Sequence, residues 1–241
     1  MNEPLKPLYD KRVTCLHCHH KFTSKKVRTK FARPIKTDTD FCSYYEEDDC
    51  NPVLYFINVC PECGFSFSDH TPSYFPPGAY ERIEKEIVSK WIKHSFSDKR
   101  TKQMAIETYK LAILSASLKG EKHIVLAGLC MRLAWLYRQL EQVDLEERFL
   151  RLALQEYEQA YTYGDYATSE VPEISVIYLI GEIYRRLGNY HDAIQYFSQA
   201  ANHSMKSMYP KYVQMAREQW RVTREQYAQM GNEQAGTDMV K

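Results

Sequence analysis

The pattern of apolar and polar positions changes near residue 80 of this chain. Before that point, β-branched and aromatic residues occur in short runs such as Val53 to Ile57, which predict short strands. After it, apolar residues recur every three to four positions, as on one face of a helix. The predicted amphipathic helices cover residues 81–118, 122–140, 144–163, 172–187, 190–204 and 210–229. The sequence therefore predicts an α+β protein that is mostly α-helical.

The change of pattern coincides with a segment that breaks regular structure. Residues 71–80 contain three prolines and a glycine, which interrupt both helices and strands. We place a domain boundary there. The predicted organisation is an N-terminal domain over residues 1–79, a helical domain over residues 80–230 and a flexible tail over residues 231–241.

The predicted helices carry a repeated pattern. Between residues 174 and 205, the order of small and apolar residues is typical of a tetratricopeptide helix pair: Ile177, Ile180, Gly181, Tyr184, Ala193, Phe197 and Ala200. An earlier, degenerate copy contains Cys130, Leu133, Ala134, Tyr137, Leu150 and Ala153. The pattern predicts a tetratricopeptide-like helical array. An irregular helical bundle is the alternative, and it would share the same core.

Repeat arrays of this kind expose the first helix of each pair on a concave face. In this register the face would carry Met131, Trp135, Arg138, Tyr178, Glu182 and Arg185. Aromatic and methionine side chains give adaptable apolar contacts, and arginines bind carboxylates. These six are the candidate residues for a protein or peptide partner, and the alternative is that Trp135 and Tyr178 belong to the core. On this hypothesis, alanine at Arg138 and Arg185 abolishes partner capture without lowering the melting temperature.

Two Cys-x-x-Cys pairs lie in turn-prone sequence, Cys15 with Cys18 and Cys60 with Cys63. A two-residue gap lets both sulfurs of one knuckle reach the same ion, and Zn²⁺ takes four thiolates in a tetrahedron. The pattern predicts a zinc ribbon with one structural Zn²⁺, because four protein ligands leave no position for water or substrate. The 41 residues between the knuckles exceed the roughly 15–20 of compact sites, so the insert must contain extra elements.

The other candidate ligands are less favoured. Cys42 and Cys50 lie in the insert, where a packing role is preferred over a second half-site or a redox pair. His17 or His20 could replace a thiolate, but four cysteines are already present. Cys130 lies on the apolar face of a predicted helix and is expected in the core.

Charge and cysteine content restrict the class of protein. The formal net charge is +1, and no apolar stretch is long enough to predict a membrane span. Seven cysteines, an odd number, and a polar start without an apolar core favour a reducing, cytoplasmic location over a secreted disulfide framework. No nucleotide-binding, hydrolase or metalloprotease motif is present, so we expect a protein that is not an enzyme.

Two runs of opposite charge lie in the insert. Residues 21–36 hold seven basic side chains and no acid, and residues 38–49 hold six acids and no base. A basic strand on a zinc ribbon could follow a phosphate backbone, which makes a nucleic-acid-binding regulator an alternative function. Pairing between the two runs is an equally economical explanation.

Several segments resemble one bacterial family, the Domain of Unknown Function 2225 family. They are Val13-Thr14-Cys15-x-x-Cys18, Asp38-Thr39-Asp40-Phe41-Cys42-x-Tyr44-Tyr45, Asn51-Pro52-x-Leu54-Tyr55 and Val59-Cys60-Pro61-x-Cys63-Gly64. The resemblance covers most of the chain. It implies a bacterial cytoplasmic protein with a zinc finger and tetratricopeptide-like helices, and it supplies no reaction.

The favoured hypothesis is a non-enzymatic zinc-binding adaptor that binds a protein or peptide through the helical-repeat groove. The alternatives are the nucleic-acid-binding regulator and a thiol-based sensor in which oxidation expels zinc. The identity of the partner is not encoded in any motif of the chain.

Overall fold

The computed structural model describes residues 5–168 and 171–238. The chain divides into two compact units, Met1–Phe149 and Leu150–Lys241. The first unit contains all seven cysteines and the six strands. The compositional break at residues 71–80 lies inside this first unit, because the helices that follow it pack with the cysteine-rich segment.

The strands of the first unit form three separate antiparallel pairs. The longest pair joins β1 (Leu8–Thr14) to β2 (Lys21–Val27), with Leu8 opposite Val27 and Thr14 opposite Lys21. Two short pairs follow, β3 (Lys36–Thr37) with β4 (Ser43–Tyr44) and β5 (Asn58–Val59) with β6 (Ser66–Phe67). The β1–β2 and β5–β6 connections each contain one Cys-x-x-Cys pair, so both knuckles are hairpin turns.

The run Val53 to Ile57 was predicted to be a strand, and this prediction is wrong. Residues Pro52–Tyr55 form a 3₁₀-helix. Pro52 fixes a φ angle suited to the first helical position, and the side chain of Asn51 accepts a hydrogen bond from the Val53 N–H at 3.0 Å. Leu54 and Tyr55, which in the sequence suggest a strand, are here the buried residues of this capped 3₁₀-helix.

The single helix predicted over residues 81–118 is also wrong. The structure has α1 (Ala79–Glu86) and α2 (Lys102–Lys119), separated by a segment with one short 3₁₀ turn. In that segment the Trp91 Nε1–H donates to the Pro61 carbonyl at 2.9 Å. Arg100 is buried and donates to the carbonyls of Leu54, Ile57 and Phe96. These tertiary hydrogen bonds hold an irregular path that helical periodicity does not reveal.

The remaining predicted helices are present with shifts of at most three residues at their ends, except that the last extends nine residues beyond its predicted end at residue 229. They are α3 (His123–Gln139), α4 (Val143–Tyr163), α5 (Glu173–Arg186), α6 (Tyr190–Ala201) and α7 (Pro210–Asp238). Gly120 ends α2 and Gly188 follows the end of α5, with positive φ angles of 79° and 78°. The predicted flexible tail falls on the end of α7 and on residues 239–241, and these last three lie outside the described residues.

In the second unit, α5 packs closely on α6 at a position that holds no side chain. A Cβ atom on Gly181 would lie 3.0 Å from the Phe197 ring, so glycine permits this approach. One turn further along, the rings of Tyr184 and Tyr196 stack with centroids 5.6 Å apart. The tetratricopeptide assignment of these helices stays a prediction. Among the helices that the structure describes, none combines the length and the apolar content needed to cross a membrane.

Candidate metal centre

The two knuckles bring four cysteine sulfurs together. Those of Cys15, Cys18, Cys60 and Cys63 all lie within 4.8 Å of one another. Two contacts join opposite knuckles, with 3.6 Å between the sulfurs of Cys15 and Cys63 and 3.5 Å between those of Cys18 and Cys60. Disulfide sulfurs are about 2.05 Å apart, so these thiols are not linked. The convergence creates one site from residues more than forty positions apart.

The spacing fits a tetrahedral ion with sulfur ligands. A tetrahedron with metal–sulfur bonds of about 2.3 Å has sulfur–sulfur edges of about 3.8 Å. The distances of 3.5 and 3.6 Å and the limit of 4.8 Å lie around that value. A set of four thiolates is typical of structural zinc and of iron–sulfur centres.

The two knuckles have the same backbone pattern. In the first, the Cys15 N–H donates to the His20 carbonyl at 2.9 Å and the His19 N–H to the Cys15 carbonyl at 3.1 Å. In the second, the Cys60 N–H donates to the Phe65 carbonyl at 3.0 Å and the Gly64 N–H to the Cys60 carbonyl at 2.9 Å. The fourth residue after each leading cysteine has a positive φ angle, 60° at His19 and 73° at Gly64. The first knuckle therefore places histidine where the second uses glycine.

Apolar side chains surround three of the four sulfurs. Cys15, Cys60 and Cys63 are buried, in one core cluster with Val13, Phe65, Phe67, Ile83 and Ile87. Cys18 is exposed. Because Ile83 and Ile87 lie in and just after α1, the centre and this helix share a core.

The crowded thiols perturb one another. Hydrogen bonds from the Cys15 and Cys63 thiols lower the pKa of Cys60. The hydrogen bond to Cys60 raises the pKa of Cys15 to about 12. A metal ion binds the thiolate form of cysteine, so binding to these four sulfurs would release their protons.

The less favoured ligands lie in other surroundings. The His17 ring packs against Phe65 and Tyr80, with centroids 5.9 and 5.2 Å away. Cys42 is buried, and burial raises its pKa to about 11, which is typical of an unreactive packing thiol. Cys50 is half-buried, and Cys130 is buried on α3.

The six predicted partner-binding residues divide between the two units. In the first, Met131 is buried, Trp135 donates to the Asp40 carboxylate at 3.2 Å, and Arg138 donates to Asp40 at 2.6 and 3.0 Å. Arg138 also pairs with Asp38 at 3.2 Å and Glu146 at 2.7 Å.

In the second unit, Tyr178 and Glu182 are fully buried, with no exposed surface. Arg185 donates to the Glu182 carboxylate at 2.7 and 2.9 Å. Met131, Tyr178 and Glu182 are thus buried, and Trp135, Arg138 and Arg185 are half-buried, each donating to a carboxylate of its own unit.

Sequence reasoning missed the ion-pair cluster around Arg138. Asp38 and Asp40 belong to the acidic run, and their carboxylates meet an arginine about a hundred residues later. The acids that follow find other partners too, with Asp48 paired to Lys102 at 2.8 Å and Asp49 to Lys99 at 2.7 Å. The acidic run therefore pairs with Lys99, Lys102 and Arg138, and it also meets the neighbouring basic run, where Lys36 pairs with Asp38 at 3.0 Å.

The chain matches a family described as an uncharacterised protein conserved in bacteria (DUF2225) over residues 8–223. The match spans most of the sequence, so the protein belongs to this family. Searches of curated proteins and of solved structures found no match.

Proposed function

We propose that the protein is a non-enzymatic adaptor, in which one structural Zn²⁺ organises the cysteine-rich segment and the helical part binds a protein or peptide. The observation that carries the metal proposal is the convergence of four thiols, three of them buried, from two matching knuckles. Four thiolate ligands fill a tetrahedral coordination sphere and leave no site for substrate. The ion would therefore stabilise the fold and would not take part in a reaction.

The metal proposal is tested by elemental analysis of protein purified under reducing conditions. We expect one zinc per chain, lost in Cys60→Ser and retained in Cys42→Ser. Cys42 is a matched control because it is also a buried cysteine of the first unit but lies outside the cluster. Iron in place of zinc, or full zinc in Cys60→Ser, would contradict the assignment.

Partner binding is supported by a recess in the second unit. Its volume is about 460 Å³, and its lining includes Tyr166, Ile174, Met205 and Tyr209. Aromatic and methionine side chains of this kind accommodate apolar groups of a partner. Met205 is 40% exposed, so a partner can reach it.

The adaptor proposal is tested by capture from bacterial lysate on immobilised protein, with quantitative mass spectrometry. Met205→Glu places a charge in the recess and should reduce capture of the partner. Met230→Glu is the matched control, because Met230 is 41% exposed and lies on α7 outside the recess lining. Equal capture by both variants and the unaltered protein would reject the recess as the binding site.

A thiol sensor is the second candidate, favoured by the exposure of Cys18 beside buried Cys60. Peroxide would oxidise two thiolates to a disulfide, be reduced to water and expel the ion. Sub-stoichiometric peroxide should then release zinc reversibly, with recovery after thiol reductant. If zinc release needs a large excess of peroxide, the adaptor proposal alone remains.

A further inference from the structure

A cavity of about 230 Å³ lies in the first unit beside the β1–β2 hairpin. Its lining includes Lys11, Lys25 and Lys26 of the hairpin together with Phe56, Asp69 and His70. The β1–β2 register places the side chains of Lys11 and Lys26 on one face, where both meet Asp69, and that of Lys25 on the other face beside Asp10. None of these residues belongs to the metal centre or to the helical recess. The cavity combines a cationic wall with an aromatic one.

The lysines of this wall are held in place and partly withdrawn from water. The side chains of Lys11 and Lys25 are only 25% and 24% exposed, whereas Lys26 is 51% exposed. Lys25 pairs with Asp10 at 2.6 Å. Ordering these side chains beforehand reduces the entropy that a bound anion would otherwise lose.

Asp69 lies where donors converge. Its carboxylate accepts hydrogen bonds from Lys11, from Lys26 at 3.4 Å and from Asn58 Nδ2 at 3.0 Å. Burial raises the pKa of Asp69, but the hydrogen bonds from Lys11 and Asn58 outweigh this and lower it below its ordinary value. The donors around this carboxylate thus favour a negative group.

Positive charge exceeds negative charge around the cavity. Lys11 and Lys26 both pair with the single carboxylate of Asp69, which leaves one positive charge in excess. Arg132 adds another, because its guanidinium lies 4.4 Å from the centre of the Phe56 ring. An incoming dianion would meet a site with the opposite charge.

We propose that this cavity binds a small phosphomonoester. The phosphate would accept hydrogen bonds from the lysines, and the organic group would lie against Phe56 and His70. A phosphate offers three acceptor oxygens and nearly two negative charges, which suits the ammonium groups of Lys11 and Lys26. The volume is below the roughly 300–1,000 Å³ of most small-molecule sites, which favours a compact ester over a larger ligand.

The test measures binding of phenyl phosphate and inorganic phosphate to the zinc-loaded protein by calorimetry. Phenyl phosphate should bind more tightly, because only its ring contacts the aromatic wall. Lys26→Gln should weaken binding by about tenfold, the loss expected for one charge-assisted hydrogen bond. Lys30→Gln, an exposed lysine outside the cavity, should leave affinity unchanged.

Asp69→Asn should change the affinity for phenyl phosphate in the opposite direction. The amide keeps the shape of the side chain but removes the charge that competes for Lys11 and Lys26, so phenyl phosphate should bind several-fold more tightly. If the phosphate were attracted non-specifically to a basic surface, replacing any one of the lysines would weaken binding to the same extent. If Asp69→Asn fails to fold, Lys26→Gln against Lys30→Gln still decides the question.

Three results would overturn the proposal. They are no measurable binding of either phosphate, equal loss in the two lysine variants, and tight binding of a short single-stranded oligonucleotide that phenyl phosphate does not displace. The last would assign the basic wall to a nucleic-acid backbone.

Discussion

Arg138 donates two hydrogen bonds to the carboxylate of Asp40, at 2.6 and 3.0 Å, and Asp40 has no exposed surface. The pair joins α3 to the turn between β3 and β4. Removing one partner of a buried ion pair leaves the other charge without compensation. The contact therefore assigns Arg138 a structural task that its place in the repeat register did not suggest.

The first prediction follows from this pair. Arg138→Ala should lower the free energy of unfolding by about 3–5 kcal/mol, because Asp40 would stay buried without its cation. Urea unfolding of the zinc-loaded protein measures the change. Arg217→Ala, at an exposed arginine on α7, is the control and should change little. An unchanged melting temperature in Arg138→Ala would restore the expectation that this arginine is free to bind a partner.

Because the two knuckles have the same backbone pattern, we expect substitutions at the equivalent residues Gly64 and His19 to have opposite effects on stability. Gly64→Ala should be strongly destabilising, because its φ angle is 73° and the new Cβ would lie 2.5 Å from the Trp91 ring. His19→Gly should stabilise the first knuckle by up to about 1 kcal/mol, since glycine adopts a positive φ angle without strain. Unfolding curves at saturating zinc report both values. Destabilisation by His19→Gly would show that the histidine side chain makes contacts that outweigh its backbone strain.

Metal removal should act on the first unit. Chelation should expose residues 13–65 to protease, because the buried thiols share a core with Phe65 and Ile83. The helices of the second unit should keep most of their far-UV signal. Trp91 fluorescence should change, because its indole donates to Pro61 within the second knuckle. The Trp91→Phe variant identifies the source of the signal, and loss of all helicity on chelation would contradict local coupling.

Acid should weaken the cluster around Asp38. Burial raises the pKa of Asp38, but hydrogen bonds from Lys36 and Tyr44 outweigh this and hold it below 3.8. A carboxyl with a lowered folded-state pKa stabilises the fold above its unfolded pKa, and this contribution is lost as pH falls through the folded value. The stability gap between the unaltered protein and Asp38→Asn should therefore be constant near neutral pH and shrink from about pH 5 downward. A gap that is the same at pH 3 and pH 7 would reject this role.

The sequence was most informative where residues close together in the chain carry the signal. Each Cys-x-x-Cys pair is a local turn, and α5 and α6 follow from apolar periodicity, with Gly188 after the end of α5 and Asn189 capping the start of α6. The same reasoning failed over residues 87–101. There the path is fixed by Trp91 on Pro61 and by Arg100 on distant carbonyls, contacts that no local pattern records.

The groove hypothesis shows a second limit of the sequence. The tetratricopeptide register places Arg138 and Arg185 on the concave face. It cannot show that Asp40 or Glu182 lies within hydrogen-bonding distance of them. Whether an arginine binds a partner or a neighbouring side chain depends on residues distant in sequence, as Asp40 is from Arg138. Ion pairing of this kind is decided by the tertiary fold.

Arg100 lies in the irregular segment before α2. Its guanidinium reaches the carbonyls of Leu54, Ile57 and Phe96 and the Ser24 hydroxyl, and burial lowers its pKa to about 10. Below that pH it stays a cation whose charge is spread over neutral oxygens of three chain segments. Lysine could not replace it, because one ammonium cannot point in so many directions at once. Arg100 thus links three chain segments that share no sheet. We therefore expect these segments to keep or lose their geometry together.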